Sequence, residues 1–221
     1  MAEYRAGLPE RPPRIAKLPL DARGFPIPWF VARVPGDGDT PDFRVADPEK
    51  QLRALTQRRC WVCGDVLGRY LAFVIGPMCA INRLSAEPPE HSACALYCVL
   101  ACPFLSNPAM LRRENDLPAD ASSPGGEMIC RNPGVSLIWV TREVRPFSVT
   151  RPGGGRSVMF RLGDPAETYW FREGRRATRA EVLESIETGL PALQLMATQE
   201  GPEAEAALDR MHQLALHYVP A

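Results

Sequence analysis

Seven cysteines stand in this chain, and six of them lie between Cys60 and Cys102. Thiols crowded in this way constrain the fold more than any other feature. Each needs a disulfide partner, a metal or a dry apolar niche. An odd number without an export signal argues against a disulfide framework. Two pairs have ligand spacing: Cys60-Trp-Val-Cys63, followed by Gly64, and His91-Ser-Ala-Cys94. Two thiolates two residues apart reach one ion only if the backbone turns tightly between them, and a following glycine relieves the left-handed position of that turn. His91 and Cys94, at i and i+3 in the first turn of a predicted apolar helix, project to one side.

The full pattern is C-x2-C-x27-H-x2-C: a knuckle, a hairpin around the strand-like Arg69–Ile75, then a helix supplying the second pair. Three cysteines and one histidine make a closed tetrahedral set, so the expected cofactor is structural zinc with no open catalytic position. Zinc with three thiolates carries one net negative charge, which Arg58 and Arg59 stand ready to offset. Cys79 is the competitor for the place of His91. A redox-active CxxC is the competing chemistry. Cys98 and Cys102 continue one helix face from Cys94 and cannot all converge on one ion, so they read as small core residues. Over about residues 58–105 the arrangement resembles the treble-clef group of zinc fingers. The chain as a whole resembles proteins of GC-rich bacteria and their phages, through AFVIGPMCAINR and EGRRATRAEVLESIETGLP. That resemblance implies no activity.

The expected fold class is α+β: a treble-clef-like zinc finger, a small antiparallel β-meander and a C-terminal helical unit. Residues 1–57 read as a proline-rich arm (1–27), a strand (29–34), a loop (35–41) and a short helix that Asp47 caps and Pro48 opens. The zinc-finger region is 58–112, and 113–128 reads as a mobile loop rich in Pro, Ser and Gly. Residues 129–221 hold three strand candidates, 135–141, 157–162 and 167–172, separated by turn formers and paired as the meander. Thr178 and Glu181 form a capping box. One helix is expected to stop at Gly189, a second to restart at Leu190-Pro191, and a third to open at Gly201-Pro202.

The longest apolar run, Cys94 to Leu105, is too short for a membrane span, which needs roughly 18 residues. The first 14 residues carry no apolar signal segment. The expectation is a cytoplasmic protein with no membrane partner. There is no P-loop, no G-x-S-x-G and no GxGxxG after a strand. The three histidines leave no free catalytic imidazole near the finger.

The net charge is zero, yet its distribution is uneven. Arginine outnumbers lysine 24 to two. Arg142 to Arg179 carries a net charge of +5, and Ala180 to Arg210 carries −6. Aromatic residues are interleaved with the basic stretch, a composition that suits single-stranded nucleic acid. The candidate binding residues are Tyr169, Trp170, Arg172, Arg175, Arg176 and Arg179, together with Asn82 and Arg83 in the polar segment before the ligand-bearing helix. The opposing expectation is that the acidic helices neutralise the basic stretch internally. The leading function is a zinc-stabilised binding protein recognising nucleic acid or a protein partner. An enzyme with a site between finger and meander, and a structural or assembly protein of a phage particle, are the alternatives.

Overall fold

The computed structural model describes residues 2–34, 40–111, 115, 117, 132–150 and 154–221. Most of the expected 113–128 loop, Cys130 and much of the 35–41 loop lie outside the described residues. The described elements run in order through α1 (Pro13–Ala16), β1 (Val31–Val34), β2 (Thr40–Ala46), α2 (Pro48–Thr56) and β3 (Leu71–Ile75). Then follow α3 (Pro77–Asn82), β4 (Leu84–Ser85), α4 (Ser92–Ala101), β5 (Ser136–Thr141), β6 (Val144–Thr150) and β7 (Arg156–Leu162). The last are β8 (Pro165–Arg172), β9 (Arg175–Arg176), α5 (Arg179–Glu200) and α6 (Pro202–Leu216). Helices with antiparallel sheets make this an α+β fold.

The central strand is β5. All six of its residues are buried, in keeping with an apolar run that is covered on both faces. Leu137 and Trp139 face the larger core with Phe73, Trp170, Val182 and Ile186. Ile138 and Val140 face the opposite way and pack with Ala95 and Val99 of α4. The sheet order is β3-β5-β8-β9, all antiparallel.

This order corrects the expected meander. The strands at 136–141, 156–162 and 165–172 exist, but they are divided between two sheets. Strand β7 instead lies between β4 and β6. The cause is β6, whose proline and alternating polar residues hide its strand character. It pairs with β7 from Val144↔Leu162 to Thr150↔Arg156, and Leu84 and Ser85 of β4 occupy the other side. No edge of β7 is left for β5. Strand β2 was likewise not anticipated, since its Pro41 falls in what reads as a loop.

Helix α2 starts as expected: the Asp47 carboxylate accepts hydrogen bonds from the backbone N–H groups of Glu49 and Lys50. The Thr178–Glu181 capping box at the start of α5 also forms. In contrast, α5 does not stop at Gly189 but continues through Pro191 to Glu200. Gly189 is a packing position. Met78 of α3 lies so close that a Cβ there would sit 2.9 Å from its terminal methyl. Packing against α3 and α6 outweighs the hydrogen bond that Pro191 removes from the helix.

The amino-terminal arm does more than lie on the surface. Ile15 is fully buried in the core. The Tyr4 and Tyr97 hydroxyls share a hydrogen bond of 3.0 Å, and the Arg5 backbone N–H donates to Gly24 C=O.

Candidate metal centre

Cys60, Cys63, His91 and Cys94 converge, with their ligand atoms all within 4.8 Å of one another. Four ligands at 2.0–2.3 Å from a tetrahedral ion stand about 3.3–3.8 Å apart. The observed cluster closes to that spacing with small side-chain movements. Its donor chemistry, three thiols and an imidazole, fits zinc.

The knuckle that brings Cys60 and Cys63 together is a tight turn. The Gly64 N–H donates to Cys60 C=O, and the isolated bridge Arg59↔Val66 closes the base. Gly64 has φ +76°, and a Cβ would approach the Trp29 ring at 2.7 Å, so the turn requires glycine twice over. The backbone N–H groups of Cys63 and His91 point at Cys60 Sγ from 3.5 and 3.4 Å, which favours its thiolate as a ligand.

His91 stands at the N-cap position of α4 without a side-chain capping bond, and Cys94 follows in the first turn. The imidazole Nδ1 lies 3.4 Å from Cys63 Sγ, and Nε2 lies 3.2 Å from the Val66 carbonyl oxygen. An Nε2–H donated to that carbonyl leaves the Nδ1 lone pair aimed at the thiols, the tautomer a metal ligand needs. The three thiols lie within hydrogen-bonding reach of one another. Bonds from Cys60 and then Cys94 pull the Cys63 pKa down; the Cys63 bond pushes Cys60 up, and bonds from Cys60 and then Cys63 push Cys94 up.

The expected hairpin inside the finger differs in form. Strand β3 pairs chiefly with β5, and only Ala72↔Glu90 links it to the segment before α4. Helix α3 and strand β4 fill the space between. Cys79 lies in α3, exposed and outside the cluster. Cys98 packs against the main core, with its thiol 3.9 Å from the Glu90 carboxylate. Burial, then the charges of Glu87 and Cys63, push the Glu90 carboxyl well above its ordinary range.

Both expected arginines flank the knuckle through backbone or side-chain bonds. Arg58 donates to Gly68 C=O and Arg59 to Gly64 C=O and Gln57 Oε1. Arg14 and Lys17 of the arm also reach the knuckle through Asp65, Arg14 at 2.7 Å. The Asp65 hydrogen bond raises the Arg14 pKa first, with smaller contributions from Cys63 and Cys94. Sequence reasoning missed Arg14 because nothing local ties the arm to the knuckle.

Of the candidate binding residues, several are engaged within the fold. Asn82 ends α3. Arg83 adopts a left-handed conformation (φ +52°) and joins Asp164 at 2.6 Å and the Tyr218 hydroxyl at 3.1 Å. Trp170 is buried, and its indole N–H donates to Tyr218 C=O. It therefore cannot offer a face for stacking. Arg172 lies 3.6 Å from both Glu181 and Glu184. Arg175 pairs with Glu181 at 2.6 Å, and Arg179 donates to Pro220 C=O. This is the internal neutralisation that the charge pattern also allowed. Arg176 is different: its guanidinium lies over the Tyr169 ring at 4.4 Å and over Phe171 at 4.7 Å. It borders a cleft of about 380 Å³ that Tyr169, His217 and Tyr218 also line.

The Arg175–Glu181 contact gives a pH test. The Arg175 hydrogen bond first, then the Thr178 N–H, hold the Glu181 carboxyl down at about 2. A folded-state pKa below the unfolded value stabilises fully above the unfolded pKa, and the benefit fades as pH falls toward the folded one. Glu181→Gln should therefore lose stability relative to wild type at pH 6 but much less at pH 3, by urea midpoints. Parallel midpoints across that range would refute the pairing.

No helix among the described residues is long and apolar enough to cross a membrane. Comparison with protein-family models, curated proteins and solved structures finds no match to this chain.

Proposed function

We propose that this chain is a zinc-stabilised binding protein whose partner is single-stranded nucleic acid. Cys60, Cys63, His91 and Cys94 would hold one structural zinc in a treble-clef-like finger: a knuckle, a strand, and a helix whose first turn supplies the last ligand pair. Four protein ligands fill a tetrahedral ion and leave it no position for a substrate, so the ion serves the scaffold.

The observation that carries the binding reading is Arg176. Among the described residues it has no acidic partner within ion-pair distance, unlike Arg172 and Arg175. Its guanidinium lies over the Tyr169 ring, and both residues line the cleft. A guanidinium so placed can meet a phosphate and stack on a base. Titration of labelled oligonucleotides at low salt tests this. The affinity should fall steeply with salt, and Arg176→Ala should weaken it severalfold. Absence of binding by the wild type at low salt would exclude nucleic acid. The second reading, a protein partner, is favoured by the exposed Leu195 and Leu214 on α5 and α6.

A further inference from the structure

Near Phe160 and Leu162 the sheet β4-β7-β6 turns one face to the core, with Arg145 and Arg161 exposed on the other; further along the hairpin Pro146 is exposed and Phe147, Val149 and Met159 are half-buried. Val144 and Pro146 of β6 stand opposite Leu162 and Phe160 of β7. Phe160 and Leu162 are buried, and Val144 packs against them. Because side chains alternate along a strand, the intervening residues point the other way. That outer face pairs Arg145 with Arg161 and Phe147 with Met159. Phe147, Val149 and Met159 belong to neither described core cluster.

Two features of this face ask for a ligand. Arg145 and Arg161 are directly opposite one another, and like charges so placed destabilise a sheet. Neither has an acidic partner among the described residues, whereas Arg172 of β8 and Arg175 of β9 are neutralised by Glu181 of α5. Secondly, the Arg161 guanidinium lies 5.7 Å from the centroid of the Phe147 ring, so charge and aromatic surface meet at one spot. Strand β6 is the edge of its sheet, but Pro146 lacks the N–H that an added peptide strand would use. The face, not the edge, is the part equipped for contact.

We propose that the outer face of β6 and β7, centred on Arg145, Phe147 and Arg161, is a binding surface for single-stranded nucleic acid. The two guanidiniums take phosphates and relieve their mutual repulsion. A base stacks on Phe147 beside Arg161, which requires that the base be unpaired. This surface is on a different sheet from Tyr169 and Arg176. It rests on the nucleic-acid reading given above but does not depend on those two residues.

The test is a titration of labelled oligothymidylate, with salt varied, against wild type, Arg145→Gln/Arg161→Gln, Phe147→Leu and Arg176→Ala. Zinc content and thermal midpoint check that each variant is folded. The double variant should bind at least tenfold more weakly at low salt, and its log–log salt slope should be shallower by about 1.4, roughly 0.7 per lost phosphate contact on a single strand. Phe147→Leu should bind about tenfold more weakly with the slope unchanged, because stacking releases no counterions. A duplex of equal charge should compete poorly. If the wild type binds and the folded double variant binds equally well, this surface is wrong while the general reading stands. If duplex competes as well as single strand, base stacking on Phe147 is overturned. If the wild type does not bind at all, both fall.

Discussion

Replacing Cys60 with serine is expected to abolish stoichiometric zinc and to take the folded finger with it. Cys60 is fully buried, accepts two backbone N–H contacts and borders the main core with Ile15 and Leu71. A structural zinc site contributes roughly 10–16 kcal/mol of apparent binding free energy, which becomes folding free energy where the site exists only in the folded state. A domain's whole margin is about 5–15 kcal/mol. Loss of one ligand of the proposed site should therefore be enough to unfold the region from the knuckle at Cys60 to α4. Chelation of wild type should lower the melting temperature in the same sense. Cys98→Ala and Cys102→Ala should retain one zinc per chain, since neither thiol belongs to the cluster. Metal analysis beside thermal denaturation decides the matter. Full zinc in Cys60→Ser, or none in the wild type, would refute the site.

Trp139→Ala should cost about 3–5 kcal/mol, the usual range for a buried Trp or Phe truncation. Trp139 is fully buried at the centre of β5. Its indole N–H donates to Gly163 C=O at 3.1 Å, and the Tyr218 ring meets it edge-on at 5.1 Å. Arg83 lies over the same ring, 5.8 Å from its centroid. Truncation opens a cavity and leaves the carbonyl unpaired, and it loosens the carboxyl-terminal segment through Tyr218. Trp139→Phe should recover part of the loss, because it refills volume without restoring the hydrogen bond. Urea denaturation of both variants supplies the measurement; a loss below 1 kcal/mol in Trp139→Ala would contradict the packing.

What could be read from the residues follows from the range of the forces involved. The Asp47 and Thr178 caps depend on neighbours a few positions away, and both form as their sequences suggest. The convergence of Cys60, Cys63, His91 and Cys94 was legible for the same reason: each pair needs only a turn or one helical turn, and His91 is the residue facing Cys63. Long-range choices were not legible. Nothing in Ser157–Leu162 says that it pairs with a strand containing Pro146 instead of with β5. Nothing in Gly189 distinguishes a helix end from a surface reserved for Met78. Charge patterning gave both possibilities for Arg172 and Arg175 without choosing, because only the fold sets their distance from Glu181 and Glu184.

The partnership of β3 with β5 fixes an order of events when the chain is made. All four ligands have left the ribosome once Cys94 emerges, but Ser136–Thr141 follows much later. During that interval Leu71–Ile75, apolar at every position, has an open edge along the side that β5 will occupy. Such a segment is prone to pair with other chains. Zinc captured early would anchor its surroundings at Cys60, Cys63, His91 and Cys94 while the partner strand is still being synthesised. Under the proposed site, metal supply would govern the yield of folded protein as well as its stability. Synthesis under zinc limitation should shift product into aggregates, even when zinc is restored afterwards.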